Sequence, residues 1–538
     1  MNRIALGLLI AFLSAPFAMA QDAPAGKPHG TLNPASGGYP ADIWAGSDGH
    51  QIEKFLTLLP ETVLSPATHE LLRRTLLTQA HAPANVPEDE FVRARVIALL
   101  KIGSPTDAGA LLRTLSPAEA TEGTSRQVVD GEFSAGQTEE ACLDVRSDAA
   151  QFSGGYWKRA MVVCELQAGQ KDQAASDIAA LVSDPEDPGF AEMAKAVSQG
   201  QASSSAGDLT PVDFALLRVG HAAEPASILK NDDVLVLAGI ARTDTFGAST
   251  RVEAGYASAV QGGINAGEML ALFRLPGAAS AAPGDATIAK DDPTQSMAEN
   301  AHADAAVIQQ IDASRDSAER VTLLKKLLTQ DSDSVDEPYI ARVEFLKQVS
   351  MTTDRSALAP AASRGLFLEG DLSAAQRWYG IAQQAGNSLP VWPLAHIAFD
   401  DLGSASSADA LQRWVEQTIS ADKDNGPKRA ERVLAAVSAL GEAVPPSLWG
   451  ETVGKPDDDA SIMGSMAVSA AMAEAASRGS RGEVVVLAAL SLKDGPAHAH
   501  PMNLNHAVGS LWHVGMRNQA KALALEGLAP ATEIGKSQ

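Results

Sequence analysis

Four short stretches constrain this chain more than any other feature. In each, a helical pattern ends on a glycine, an alanine follows five residues on, and an apolar residue comes four after that. They are Gly103/Ala108/Leu112, Gly169/Ala174/Ile178, Gly370/Ala375/Tyr379 and Gly515/Ala520/Ala524. Glycine ends a helix where the backbone must turn left-handed. The small alanine then lets a second helix cross closely over the first, and the residue one turn on fills the groove between them. Alanine is abundant here, so the spacing counts only where helical pattern flanks it and a stop follows. Pro185, Pro390 and Pro530 supply that stop in three of the four.

Helix starts recur in the same style. Ser65-Pro66, Ser104-Pro105, Ser116-Pro117 and Thr210-Pro211 each place a capping hydroxyl before a proline suited to the first helical position. Ser116 and Glu119 also stand at capping-box spacing. His69–Leu77, Phe91–Leu100 and Ala108–Leu115 are amphipathic at helical period. The best β-like run, Val484-Val485-Val486, sits among alanines and leucines and reads as a buried helix turn. The expected fold class is all-α.

Three segments carry a family resemblance. YWKRAMVVCELQAGQKDQAASDIAALVSDP (Tyr156 to Pro185) follows the tetratricopeptide rhythm, with an aromatic early in the first helix, Gly169 at the turn, Ala174 and Ile178 in the second helix, and a closing proline. GLFLEGDLSAAQRWYGIAQQAG (Gly365 to Gly386) is similar to the turn and second helix of a Sel1-like unit, and LWHVGMRNQAKALALEGLAP (Leu511 to Pro530) is a third partial match. The period between them is irregular. The resemblance implies a tetratricopeptide-like α-solenoid of helical hairpins, in one segment or two, that presents a concave surface to another macromolecule.

Composition sets the compartment and the boundaries. Residues 1–20 have a positive Arg3, an apolar run from Ile4 to Leu13 and the small-x-small site Ala18-Met19-Ala20, the pattern of a signal peptide cut after Ala20. A periplasmic or secreted location in a bacterium is expected. Residues 21–47, rich in Pro, Gly and Ala, read as a disordered leader in which Trp44 docks on the first helix. Residues 48–275 read as an N-terminal helical-repeat segment, 276–303 as a linker or long loop, 304–530 as a C-terminal helical-repeat segment and 531–538 as a tail. No apolar stretch after Gln21 reaches the ~20 residues a membrane span needs. The formal net charge of −24 argues against nucleic acid and against anionic lipid, and favours a basic partner if any. Two cysteines, Cys142 and Cys164, in an oxidising compartment predict one disulfide, which would join neighbouring helices.

Candidate chemistry is sparse. His69-Glu70-Leu71-Leu72 opens like a zinc-protease helix, but Arg73 stands where the second histidine belongs. Ser227 and Lys230 have Ser-x-x-Lys spacing without the partner motifs of that class. Asp331, Asp333, Asp336 and Glu337 lack the glycine and distal glutamate of a calcium hand and read as a solvated loop, and Asp457-Asp458-Asp459 as a helix cap. Four of the eleven histidines, His498, His500, His506 and His513, lie close together in sequence and form the candidate zinc or copper ligand set. No catalytic module, phosphate loop or dinucleotide fingerprint is recognisable, and no cofactor is expected.

These features converge on a non-enzymatic scaffold that binds an envelope protein or peptide. Trp378, Tyr379, Trp392 and Trp414 are its candidate contact residues, each with core packing as the competing role. A metal- or small-ligand-binding protein using the C-terminal histidines is the second expectation. A cell-wall hydrolase or accessory factor is the third.

Overall fold

A computed structural model describes residues 27–182, 189–200, 210–221, 228–230, 233–280, 293–330, 335–399, 405–453 and 465–534. Residues 1–20, read from sequence as a signal peptide, and Ser227, Asp331, Asp333 and the Asp457–Asp459 run lie outside the described residues. Among the described residues the regular elements are helical, twenty-six α-helices with a few 3-10 turns, and β pairing is confined to three isolated bridges. None of these helices is long and apolar enough to cross a membrane.

The glycine figure recurs in the structure. Gly103, Gly169, Gly370 and Gly515 all have positive φ, between 71° and 93°. Each joins two helices that pack on one another: Glu88–Lys101 with Pro105–Leu112, Gly155–Gln167 with Lys171–Leu181, Ala359–Glu369 with Leu372–Gln384, and Pro501–His513 with Arg517–Gly527. Ala108, Ala174, Ala375 and Ala520 are fully buried, as the close crossing requires. Two more turns of the same kind occur. Gly136 joins Glu122–Ser134 to Thr138–Asp148, and Gly479 joins Met466–Ser477 to Arg481–Ser491. Gly103, Gly136 and Gly169 fall 33 residues apart, so this part of the chain is more regular than the irregular period read from sequence.

Caps follow the sequence at some starts and not at others. Ser65 Oγ accepts from the Thr68 amide, and Thr210 with Asp213 forms a full capping box ahead of Pro211–Val219. At Ser116 the Glu119 carboxylate accepts from the Ser116 amide and hydroxyl, but the residues after it form only a turn. A capping box satisfies two donors and cannot by itself repay the cost of nucleating a helix.

The leader and the linker depart from expectation. From Lys27 onward the leader is tied down: the Thr31 amide donates to the Leu77 carbonyl at 2.9 Å, the Gln79 amide to Leu32 at 2.7 Å, and Tyr39, Ile43 and Trp44 are buried. Trp44 packs edge-on against Phe91 of helix Glu88–Lys101. Part of the presumed linker is the start of helix Pro293–Ala313, in which Ala301 is fully buried. In the leader three large residues supply the core, and in the helix start a small alanine does, which is what a tight helix contact accepts. Asp336 and Glu337 are also not a solvated loop. Asp336 caps helix Glu337–Gln348, and Glu337 Oε2 accepts from the Ala266 amide at 2.8 Å, capping helix Ala266–Phe273. Burial pushes the Glu337 carboxyl up to about 7.

One hydrophobic cluster runs from Tyr39 to Ala531 and crosses the 276–303 boundary. Helix Pro66–Leu77 packs on Arg481–Ser491 and Arg517–Gly527, so an early helix meets two late ones. At that seam Glu526 Oε2 accepts from the Ala67 amide across 459 residues of sequence. In an open repeat array each unit touches only its neighbours. Here helices far apart in sequence are joined as well.

Cys142 and Cys164 are bonded, with Cα atoms 5.4 Å apart, and link helix Thr138–Asp148 to helix Gly155–Gln167. In the chain-entropy model, opening a loop of this length costs about 3 kcal/mol. The Cys142→Ala/Cys164→Ala protein should therefore unfold at lower urea concentration than wild type, by an amount equivalent to roughly 2–4 kcal/mol. Identical urea midpoints would remove the disulfide from the list of stabilising features.

Candidate functional site

The residues singled out from sequence are distributed unevenly. Trp392 and Trp414 come together, and Trp378 and Tyr379 do not join them. Helix Leu372–Gln384 turns Tyr379 inward, edge-on to Phe367 at 6.1 Å, where it belongs to the core. Trp378, half-buried on the same helix, lies under the Arg355 guanidinium, 5.2 Å from its ring centre.

The turn after that helix builds the cleft. The segment Leu389–Val391 is a single 3-10 turn, and helix Trp392–Ala398 begins directly after it. Helix Ala405–Ala421 then returns alongside. Between them opens a cleft of about 230 Å³ lined by Ser388, Leu389, Trp392, Arg413, Trp414 and Gln417. The two indoles are near-parallel, 28° apart with centroids 6.3 Å apart. Trp414 is anchored, its Nε1–H donating to the Leu389 carbonyl at 3.2 Å, while Leu389 itself is 42% exposed at the rim. Arg413 and Gln417, one helical turn apart, place a cation and an amide beside the rings. Sequence reading missed both, because polar residues on an amphipathic helix signal only a solvated face.

The wall is braced from behind. His396 stacks on Trp392 with centroids 4.6 Å apart, and its Nε2 lies 2.8 Å from Glu442 Oε2, both side chains being buried. Ser407 Oγ donates to the other Glu442 oxygen at 2.8 Å and stands 3.4 Å from the same His396 Nε2. Serine, histidine and glutamate thus meet, but not as a nucleophilic triad. That device needs the serine on one ring nitrogen and the acid on the other. Here the carboxylate occupies the nitrogen that faces the serine and takes the hydroxyl proton into its own hydrogen bond. Ser249, His302 and Glu253 repeat the arrangement: Glu253 Oε1 lies 2.8 Å from both Ser249 Oγ and His302 Nε2. Its hydrogen bond with Glu253 raises the His302 pKa, as expected for a brace. Neither set activates a nucleophile.

The C-terminal histidines are spread along one hairpin. His500 caps helix Pro501–His513, its Nδ1 accepting from the Met502 amide at 3.2 Å, and His498, His506 and His513 are exposed. Among the described residues no group of three or more His, Cys, Asp or Glu side chains is placed to hold a metal ion. His69 Nε2 bonds the Ile102 carbonyl at 2.9 Å and Arg73 pairs with Asp107, so that helix carries packing contacts where a zinc motif would carry ligands.

A second, more polar cleft of about 580 Å³ lies at the start of helix Thr138–Asp148, lined by Gln137, Glu139, Glu140, Arg218, His221 and Asp244 among others. Arg218 is a strut there, donating to Thr243 Oγ1, Thr138 Oγ1 and the Gly136 carbonyl. Burial, with Arg242 nearby, lowers its pKa to about 10.

Comparison with protein-family models, with curated proteins and with solved structures gives no match.

Proposed function

We propose that this chain is an exported, non-enzymatic helical-repeat scaffold of the bacterial cell envelope that holds a segment of another protein, or a peptide, in the Trp392–Trp414 cleft. One observation carries the reading: a partly buried indole, Trp392, backed by the buried Trp414, and a half-exposed leucine line an open cleft on a braced wall. Rigid aromatics next to an arginine are the side chains that dominate binding energy at protein interfaces. An apolar or aromatic side chain of the partner fits between Leu389 and the rings, and Arg413 favours a carboxylate or carbonyl beside it. Export is supported by the N-terminal sequence pattern, and a disulfide suits an oxidising compartment. The solenoid character rests on the hairpins at 33-residue spacing.

The test is site-specific photocrosslinking in cells with the crosslinker at Leu389, and at Leu58, also exposed, as the distant control. A partner captured at Leu389 alone is expected. The captured segment, made as a peptide, should then bind the purified protein at least about thirty-fold more weakly after Trp392→Ala, the loss typical of a hot spot. Equal capture at both positions, or binding indifferent to Trp392→Ala, would remove the cleft from the function.

A further inference from the structure

Glu132 stands apart from the other buried acids of this chain. It lies on helix Glu122–Ser134, is fully buried, and neither of its carboxyl oxygens has a hydrogen-bond partner. Facing it is Gly109 of helix Pro105–Leu112. A methyl group at Gly109 would stand 2.7 Å from Glu132 Oε1 and 2.8 Å from Asp144 Oδ2, so the glycine makes room for two carboxyls side by side. Asp144, on helix Thr138–Asp148, is bonded to Arg113. The single cation at the nest is thereby committed to one of the two acids.

We propose that this three-helix nest is a pH-sensitive joint: Glu132 packs as the neutral acid, and its ionisation loosens helix Glu122–Ser134 from helix Thr138–Asp148, the helix that carries Cys142.

Among the described residues Arg113 is the cation that acts on Glu132; Arg126 of its own helix pairs with Asp130, and Arg146 of helix Thr138–Asp148 is exposed. From helix Thr138–Asp148 come Asp144, Glu140 and Asp148, all negative, and Arg113 follows helix Pro105–Leu112. The other helices packed on Glu122–Ser134 direct their cations elsewhere. Arg218, of Pro211–Val219, bonds Thr243, Thr138 and the Gly136 carbonyl, while Asp213 of that helix caps its own start. Arg242, after Val234–Ala241, bonds Glu268 and the Ala135 carbonyl, while Asp233 caps that helix. On Glu88–Lys101, Arg93 pairs with Asp89, Arg95 bonds the carbonyls of Leu76, Thr78 and His29, and Lys101 bonds those of Thr57 and Leu59; Glu88 meets His81. Burial, and then the Asp144 charge, push Glu132 up to about 9 against the pull of Arg113. Asp144 is also raised by burial, but its own bond to Arg113 opposes the shift, so the proton belongs on Glu132.

The sign follows from linkage. A carboxyl whose folded pKa lies above its unfolded value favours the fold at low pH, and that stability is lost as pH rises from the ordinary carboxyl range toward the folded value. The mature chain should therefore hold helices 122–148 more firmly at pH 5 than at pH 8.

Hydrogen–deuterium exchange on the full mature chain tests this locally, after correction for the intrinsic pH dependence of exchange. In wild type, protection of amides in 122–148 is expected to fall at least about tenfold between pH 5 and pH 8. In Glu132→Gln, which keeps the shape and cannot ionise, most of the fall should be lost; what remains belongs to Asp130, Asp144 and Asp148, whose carboxyls burial also raises. Asp144→Asn is the second variant: Arg113 is then free for Glu132, and the fall should shrink. A wild type without the fall, or a Glu132→Gln protein that retains all of it, would overturn the proposal.

Discussion

Trp44→Ala should cost the folded chain about 3–5 kcal/mol, the range for emptying a buried aromatic site. Trp44 is 2% exposed and sits where the leader meets helix Arg481–Ser491. Its ring lies edge-on to Phe91, 5.1 Å between centroids, on one side. On the other it presses so closely on helix Arg481–Ser491 that a methyl at Gly482 would lie 2.5 Å from the ring. The Gly482 amide donates to the Ile43 carbonyl at 2.8 Å, and Arg481 pairs with Asp42, so the leader is fastened to the C-terminal hairpin by backbone, charge and ring together. One term opposes the loss. The indole N–H of Trp44 has no hydrogen-bond partner, and removing a buried unsatisfied donor returns about 1–3 kcal/mol. The net effect should still be a clear fall in urea midpoint, with exchange protection lost in helices 66–77 and 481–491 as well as in the leader. If protection falls in the leader alone, Trp44 does not tie the leader to these helices.

What was legible in the sequence was local. Gly169, Ala174 and Ile178 announce a hairpin within ten residues of one another, because a helix end, a tight crossing and a groove filler are near neighbours along the chain. Gly136, Ala141 and Val145 obey the same figure and went unread, since Thr138-Glu139-Glu140 makes that helix start look wholly polar. The disulfide was legible because only two cysteines exist. The buried arginines were not. Arg95, Arg342 and Arg364 are each 1% exposed, yet in sequence each reads as part of a polar helix face. Their partners lie far away: Arg364 donates to Tyr339 Oη and to the Ala529 carbonyl, both at 2.8 Å. Periodicity reports which face of a helix is apolar; it says nothing of a carbonyl arriving from a distant turn. The cleft was half legible. Tryptophans are conspicuous, but whether an indole fills a core or lines an opening depends on the return path of helix Ala405–Ala421.

Arg342→Met is expected to lower stability by about 3–5 kcal/mol, the cost of leaving a buried charge without its partner. Arg342 Nε lies 2.7 Å from Asp304 Oδ2, with both side chains almost wholly inaccessible. Its Nη1 donates to the Gln330 carbonyl at 2.7 Å and its Nη2 to Tyr256 Oη at 3.3 Å. One guanidinium thereby joins helices Glu337–Gln348, Pro293–Ala313 and Ala248–Val260, on both sides of the boundary that composition places at 276–303. Asp304→Leu should be about as costly, because it strands the guanidinium. The double variant Arg342→Met/Asp304→Leu should recover much of the loss, since well-packed apolar side chains can replace a buried ion pair at little or no cost. The Gln330 carbonyl would still lack its donor, so recovery should stop short of wild type by about 1–3 kcal/mol. Urea unfolding of the four proteins measures the cycle. A double variant as unstable as the sum of the singles would mean that the pair is not coupled, and that the other contacts across this boundary, such as the Ala266–Glu337 hydrogen bond, hold it without Arg342.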